Sequence, residues 1–231
     1  ARRAALDAAA SGTGAVAVLL GHTLDDQAET VLLGLARGSG ATSIRGMEPV
    51  AGRYRRPLLG LGRSTTAAFC ADSGLEPWHD PHNEDERYAR VRVRRSVLPV
   101  LEAELGPGIA EALARTAEQL REDAEALDRL AEEDLEELVE LEEAGLSIGV
   151  AVLAANPPAL RQRIIRAAVA HEFHVSLSRH QTLEVARLVT DWHGQGPVDL
   201  PGIRVDRRSG RIHLVSTRAG ELTGRRPPSE H

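Results

Sequence analysis

A continuous apolar run, Ala15–Leu20, is followed closely by an amphipathic segment that extends from about Thr23 to Ala36. The apolar run is typical of a strand buried on both faces, and the spacing of apolar residues in the second segment predicts a helix. A strand that leads directly into a helix indicates an α/β fold, in which a parallel sheet is flanked by crossover helices. In such sheets ligands bind beyond the carboxyl ends of the strands, which here is the stretch around His22.

Four polar side chains lie at this end of the predicted strand and share one face of the predicted helix. They are His22, Asp25, Asp26 and Glu29, at positions i, i+3, i+4 and i+7. One interpretation is structural, because Thr23 as N-cap with Asp26 three residues later is a capping-box pattern, and acidic residues complement the helix dipole. The other interpretation is a catalytic cluster. Local spacing supports both.

Composition excludes several classes of protein. The chain has 42% hydrophobic and 27% charged residues, as soluble globular proteins do. A single cysteine, Cys70, which we interpret as a small core residue, cannot form an internal disulfide or a multi-thiolate metal site. No apolar run reaches the roughly 20 residues that span a membrane, and no secretory segment opens the chain, so we expect a cytoplasmic protein without membrane contact.

Charge is distributed unevenly along the chain, although the net charge is only −6. The run Glu132–Glu143 holds eight acids, and Arg87–Arg95 holds five arginines. The first run belongs to a segment from Pro107 to about Glu143 that predicts one long helix or two stacked helices. Farther along, the segment IRVDRRSGRIHLV predicts a hairpin that turns at Ser209 and Gly210.

Four segments in this order resemble the tRNA(Ile)-lysidine synthetase family of PP-loop ATP pyrophosphatases. They are GHTLDDQAETVLLGLARGSG, RRPLLGLGR, a Trp followed by DPHNEDERYARVRVRRSVLP, and the helical region after them. The resemblance implies a partial Rossmann-like PP-loop domain, a helical linker and a smaller, mostly helical α+β domain that binds tRNA. The expected bounds are residues 1–105, 106–145 and 146–220, with a flexible tail at 221–231.

The resemblance also implies a reaction. ATP, with Mg²⁺, would adenylate carbon 2 of the wobble cytidine in the isoleucine tRNA that has a CAU anticodon, and free L-lysine would then displace AMP to give lysidine. Such chemistry needs groups that neutralise phosphates and carboxylates that receive an amine. The sequence does not identify the metal ligands. It also leaves the oligomeric state open, with a homodimer as one possibility.

Family motifs assign roles to residues of this chain. The resemblance implies that Asp26 orients the lysine ammonium or takes its proton, that Asp25 and Glu29 support it or a metal shell, and that His22 faces the nucleotide. Arg94 would clamp a phosphate or steady the adenylated intermediate.

Further residues are candidates for contact with ATP, substrate or tRNA. Asn83 and Arg90 lie on the same motif as Arg94, and we expect them to contact ATP or substrate. For contact with tRNA, the candidates are Arg56, Arg63, Arg161 and Arg207. We interpret Trp78 as a core residue rather than a stacking platform.

The chain departs from the family in lacking the Ser-Gly-Gly-x-Asp-Ser phosphate loop, whose backbone amides hold pyrophosphate. The chain begins with Ala and its only methionine is Met47, so we expect that it starts downstream of the natural beginning or was processed. We therefore expect this chain to be inactive alone.

Two alternatives remain. One is another PP-loop tRNA-modifying enzyme, although the thiolases that use an iron–sulfur cluster need several cysteines. The other is a non-catalytic, helical RNA-binding module, against which stands the polar cluster at the end of the predicted strand.

Overall fold

The computed structural model describes residues 2–38 and 41–217. The chain divides into two compact units, residues 1–124 and 125–231. Helices and a sheet occur in both, which confirms the α/β class. No helix within these described ranges is long and apolar enough to cross a membrane. The predicted tail, 221–231, lies outside the described residues.

The described part of the first unit is a series of helices around a small sheet. Its elements are α1 (Arg2–Thr13), β1 (Val18–Leu19), α2 (Leu24–Ala36), α3 (Ala41–Ile44), β2 (Val50–Ala51), β3 (Tyr54–Arg55), α4 (Arg63–Asp72), a 3₁₀ turn (Pro81–Asn83), α5 (Ala89–Arg92), a π-helical turn (Val93–Val97), α6 (Leu98–Leu105) and α7 (Ile109–Leu138), whose last residues belong to the second unit.

The sheet of the first unit has the order β1-β3-β2, with β1 parallel and β2 antiparallel to β3. The predicted succession of a strand and a helix is confirmed. The expected burial of the strand on both faces is not confirmed. Regular pairing covers only Val18 and Leu19, and Leu19 is 71% exposed. The reason is position, because β1 lies at the edge of this sheet and has β3 as its one neighbour in the described chain.

The helix α2 is fastened to the loop that follows α3. The buried Gln27 side chain accepts a hydrogen bond from the Met47 backbone N–H at 2.7 Å and donates one to the Met47 carbonyl at 3.0 Å. Farther along α2, Gly34 lies against the backbone of Ser43, where a Cβ would come within 2.3 Å of the carbonyl oxygen. These contacts fix the helix whose first turn carries the polar cluster.

The second unit is built on a five-stranded antiparallel sheet of order β4-β5-β8-β7-β6. After α7, its elements are β4 (Val139–Glu142), β5 (Gly145–Gly149), α8 (Val150–Ala155), α9 (Pro158–Phe173), α10 (Arg179–Thr190), β6 (Val198–Leu200), β7 (Ile203–Arg208) and β8 (Arg211–Ser216). Buried aliphatic residues of the sheet and of α8–α10 form its core. The hairpin turn at Ser209 and Gly210, both with positive φ, is confirmed.

Three further expectations from the sequence are wrong. Residues 139–142 form β4, so the region 106–145 is not wholly helical and the acidic run ends on a strand. Trp78 is 81% exposed, because the segment around it has no regular structure that would bury it. Cys70 is partly exposed on α4, a helix without a fully buried residue.

Candidate active site

The two carboxylate oxygens of Asp26, in the first turn of α2, make different contacts. Oδ2 accepts hydrogen bonds from the backbone N–H and the hydroxyl of Thr23, both at 2.9 Å. Oδ1 faces two guanidinium groups, at 3.2 Å from Nη2 of Arg63 and 3.3 Å from Nη2 of Arg94. The capping role is therefore confirmed, and it leaves one oxygen for a charged cluster.

Glu29 is the centre of that cluster and is fully buried. Arg94 donates from Nε to Oε1 at 2.6 Å and from Nη2 to Oε2 at 3.1 Å, a two-pronged contact. Arg63 reaches Oε1 at 3.4 Å, and Nε of Arg90 lies 3.6 Å from Oε2. Because an isolated buried carboxylate is costly, these three partners explain how Glu29 is tolerated there.

The arginines reach the cluster from two separate segments. Arg90 lies on α5 and Arg94 on the π-helical turn that continues it, four residues later. Arg63 is the first residue of α4, and its backbone N–H donates to Oδ2 of Asp25 at 2.6 Å. Asp25 therefore caps the N-terminus of α4, a structural position that sequence spacing did not indicate.

Electrostatics favour the ionised forms of Asp26 and Arg94. Burial by itself would raise the pKa of Asp26, but the hydrogen bonds from Thr23 and the charges of Arg63 and Arg94 outweigh it and lower the pKa. The hydrogen bond to Glu29 raises the pKa of Arg94 above its ordinary value. At neutral pH the site therefore presents a carboxylate beside a guanidinium.

A cavity of about 660 Å³ opens on this cluster. It is lined by Arg3, Leu6, Leu20, Gly21, His22, Asp26, Tyr54, Arg56, Asn83, Arg90 and Arg94. Five of the seven predicted catalytic and ATP or substrate residues thus meet at one surface. The other two, Asp25 and Glu29, do not line it, because one caps α4 and the other is buried beneath the arginines.

The cavity also contains residues that the sequence did not point to. Tyr54 donates from its hydroxyl to Asp7 at 2.8 Å, and the guanidinium of Arg3 stacks over its ring. Arg56, predicted to contact tRNA, lies in this cavity, where Nε donates to Nδ1 of His22 at 3.3 Å. Burial and the nearby charge of Arg3 lower the pKa of Arg56. No local signal could reveal contacts between α1, β3 and the end of β1.

Comparison with known proteins matches two domains. Residues 1–101 match the PP-loop domain, and residues 149–213 match the TilS substrate binding domain. A tRNA(Ile)-lysidine synthase of Leifsonia xyli subsp. xyli is 66% identical over 92% of this chain and 64% of its own length. In both matched domains the chain is similar to the tRNA(Ile)-lysidine synthases.

Other relatives that carry this family's name are similar over the same extent. The synthase of Streptomyces coelicolor is 53% identical over 91% of this chain and 60% of its own length. The synthase of Mycobacterium tuberculosis is 48% identical over 91% of this chain and 64% of its own length. The chain thus spans about three fifths to two thirds of the length of these relatives.

Three of the arginines predicted to contact tRNA make contacts within the protein. In the TilS substrate binding domain, Arg161 donates to three carbonyl groups at the end of α8, the shortest bond being 2.7 Å to Leu153. Arg207 donates to the Leu188 carbonyl at 2.9 Å and covers the ring of Trp192. Arg63 pairs with Asp26 and Glu29, and contact of these three guanidinium groups with tRNA stays a prediction.

Proposed function

We propose that the protein ligates lysine to carbon 2 of the wobble cytidine in the isoleucine tRNA with a CAU anticodon. In the first step the cytidine O2 attacks the α-phosphorus of ATP, and pyrophosphate leaves. In the second step an amino group of lysine, its ammonium proton released to solvent, attacks carbon 2. The bond from that carbon to the adenylate oxygen breaks, AMP leaves, and the proton displaced from the attacking nitrogen passes to solvent. The family relationship and the composition of the cavity support this assignment.

The observation that carries the proposal is the pairing of Asp26 with Arg94 at the wall of one cavity. Their side chains approach to 3.3 Å, although 68 residues separate them in sequence. The same cavity holds the guanidinium groups of Arg3, Arg56 and Arg90. A concentration of cations in a concave site suits a polyphosphate, and one carboxylate among them suits an incoming ammonium.

The charge state of Asp26 favours one of its two candidate roles. A carboxyl whose pKa is lowered is a weak base but a permanent anion near pH 7. We therefore assign Asp26 to attract and orient the lysine ammonium. Arg94, held in place by Glu29, would contact the phosphate that links AMP to the base.

Mg²⁺ is also part of the proposed reaction, but the described residues do not fit a resident metal ion. No group of three His, Cys, Asp or Glu side chains within residues 2–38 and 41–217 could hold one. Among the described residues that line the cavity, Asp26 is the one carboxylate, and both of its oxygens accept other contacts. We therefore assign no step of the reaction to the metal.

The partners follow from the reaction. They are the tRNA, which we assign to residues 146–220 for docking, and ATP and free L-lysine, which we assign to the PP-loop domain. All three occur in the cytoplasm, where we place the protein. The relatives' names favour this reaction over tRNA thiolation.

The test uses the complete product of the gene that encodes this chain, with lysine incorporation into isoleucine tRNA as the readout. We expect Asp26→Asn to lower kcat/KM by about 10²- to 10⁴-fold, and Arg94→Ala by about 10²- to 10³-fold. Arg95→Ala, which removes an exposed neighbouring charge, is the matched control. Failure of the unmodified protein to incorporate lysine would refute the proposed function.

A further inference from the structure

A second cavity of about 570 Å³ lies in the first unit beside the candidate active site. The two cavities share Asn83, Arg90 and Arg94 in their linings. The remaining lining of the second cavity is Asp80, His82, Tyr88 and Val91. Arg90 and Arg94 therefore border both cavities, and the proposed function uses only the first.

Two aromatic rings line the second cavity. Tyr88 is 49% exposed, and its ring centroid lies 6.3 Å from that of His82 with an interplanar angle of 56°. Asp80 positions His82, because one of its oxygens accepts from the His82 backbone N–H at 2.9 Å and contacts Nδ1 at 2.8 Å. Aromatic surface is thus held at the cavity although water reaches it.

This combination of groups suits a nucleobase. Single-stranded RNA is recognised by stacking of splayed bases on aromatic side chains, with hydrogen bonds to the base edges. Enzymes that modify a base in place extrude it from the stack into a pocket. Arg90 and Arg94 offer donors to a carbonyl oxygen of a pyrimidine, and Tyr88 offers the stacking face.

We propose that the second cavity binds the extruded target base of the RNA substrate, stacked on Tyr88. The base would meet ATP across Arg90 and Arg94, which belong to both cavities. The inference rests on the proposed function, and it adds a binding site and a stacking residue to it. His82 forms the second wall of this site.

A cationic amine is the competing occupant, since Asp80 and Tyr88 could attract the lysine ammonium by charge and by a cation–π contact. The contacts of Asp80 and the position of the shared arginines favour a nucleobase over an amine. Asp80 already accepts from His82 at the cavity wall, and the two shared arginines place positive charge beside the space. Binding of lysine there is therefore an outcome that the test must be able to detect.

The test compares Tyr88→Leu with Tyr88→Phe in the complete gene product. We expect Tyr88→Leu to raise the KM for tRNA by about fivefold to a hundredfold, the range measured when a stacking ring is removed. Tyr88→Phe keeps the ring and should stay within about twofold of wild type. Phe69→Leu is the matched control, because Phe69 is 65% exposed and lines neither cavity.

A direct measurement accompanies the kinetics. An anticodon stem-loop with the fluorescent analogue pyrrolocytosine at the wobble position should be quenched by wild-type protein and by Tyr88→Phe. Quenching should fall in Tyr88→Leu, and His82→Leu should show a smaller loss. Thermal unfolding of each variant shows whether the fold is kept, and the half-exposed side chains make that the expected result.

The outcomes separate this inference from the proposed function. A wild-type protein that modifies tRNA while Tyr88→Leu has normal KM for tRNA and normal quenching would overturn the inference alone. A rise in the KM for lysine, with that for tRNA unchanged, would also overturn it and assign the cavity to the amine. A wild-type protein without any activity toward tRNA would instead refute the proposed function.

Discussion

Nε of Arg94 lies 2.6 Å from Oε1 of Glu29, although 65 residues separate the two in sequence. Glu29 is fully buried on α2, and it also contacts Arg63 and Arg90. One carboxylate thus fixes the directions of three guanidinium groups, two of which line the proposed ATP cavity. We therefore expect Glu29 to act as a positioning residue, in keeping with the supporting role that the resemblance implied.

Replacement of Glu29 by Gln should destabilise the first unit by about 3–5 kcal/mol, the cost of removing one member of a buried ion pair. Arg94 and Arg90 would then lie close together without their shared anion. The free energy of unfolding, measured by denaturant titration, is the readout. Glu104→Gln, at an exposed position of α6, is the control and should change stability by less than about 0.5 kcal/mol. Equal stability of the two variants would contradict the role assigned to Glu29.

Asp26 should contribute to the pH dependence of stability. Its pKa is lowered in the folded state from the ordinary 3.8, so the unfolded chain binds more protons as the pH falls below that value. The contribution is therefore present above pH 3.8 and is lost on acidification through the folded-state pKa. Unfolding of wild type and Asp26→Asn across this range should show a shallower acid dependence in the variant. Asp123→Asn, which changes an exposed carboxylate, should keep the wild-type slope.

Replacement of two helical glycines of the first unit by alanine should change the stability of the protein in opposite directions. A Cβ at Gly34 would lie 2.3 Å from the carbonyl oxygen of Ser43, so Gly34→Ala should destabilise by about 1–3 kcal/mol. A Cβ at Gly12 meets no atom within 4 Å, and Gly12→Ala should stabilise α1 by up to about 1 kcal/mol. Melting temperatures test the pair, and a stabilising Gly34→Ala would show that α2 and α3 are not packed as described.

Arg161 should prove structural rather than RNA-binding. Because its guanidinium donates to three carbonyl groups near the end of α8, Arg161→Ala should lower stability by about 1–3 kcal/mol. The dependence of tRNA affinity on salt concentration should keep its wild-type slope, since no phosphate contact is removed. For comparison, Arg204→Ala, at an exposed position of β7, should leave stability within about 0.5 kcal/mol. A reduced salt slope in Arg161→Ala would restore the RNA contact predicted from the sequence.

Local features of this protein were predictable from its sequence. The helix that begins after its N-cap Thr23, with Asp26 completing the capping box, follows from side-chain spacing and capping preference. The turn at Ser209 and Gly210 follows from backbone preference. Each depends on residues within a few positions of one another. The family relationship was also readable, because its motifs are continuous segments.

The partners of the arginines were decided by the tertiary structure. Arg94 and Arg161 are equally cationic in sequence, yet one pairs with a buried carboxylate at the cavity and the other caps a helix. A long charged side chain takes its role from whatever lies within a few ångströms of its tip. Here those neighbours come from other elements, so only folding determines which cations remain available to a ligand.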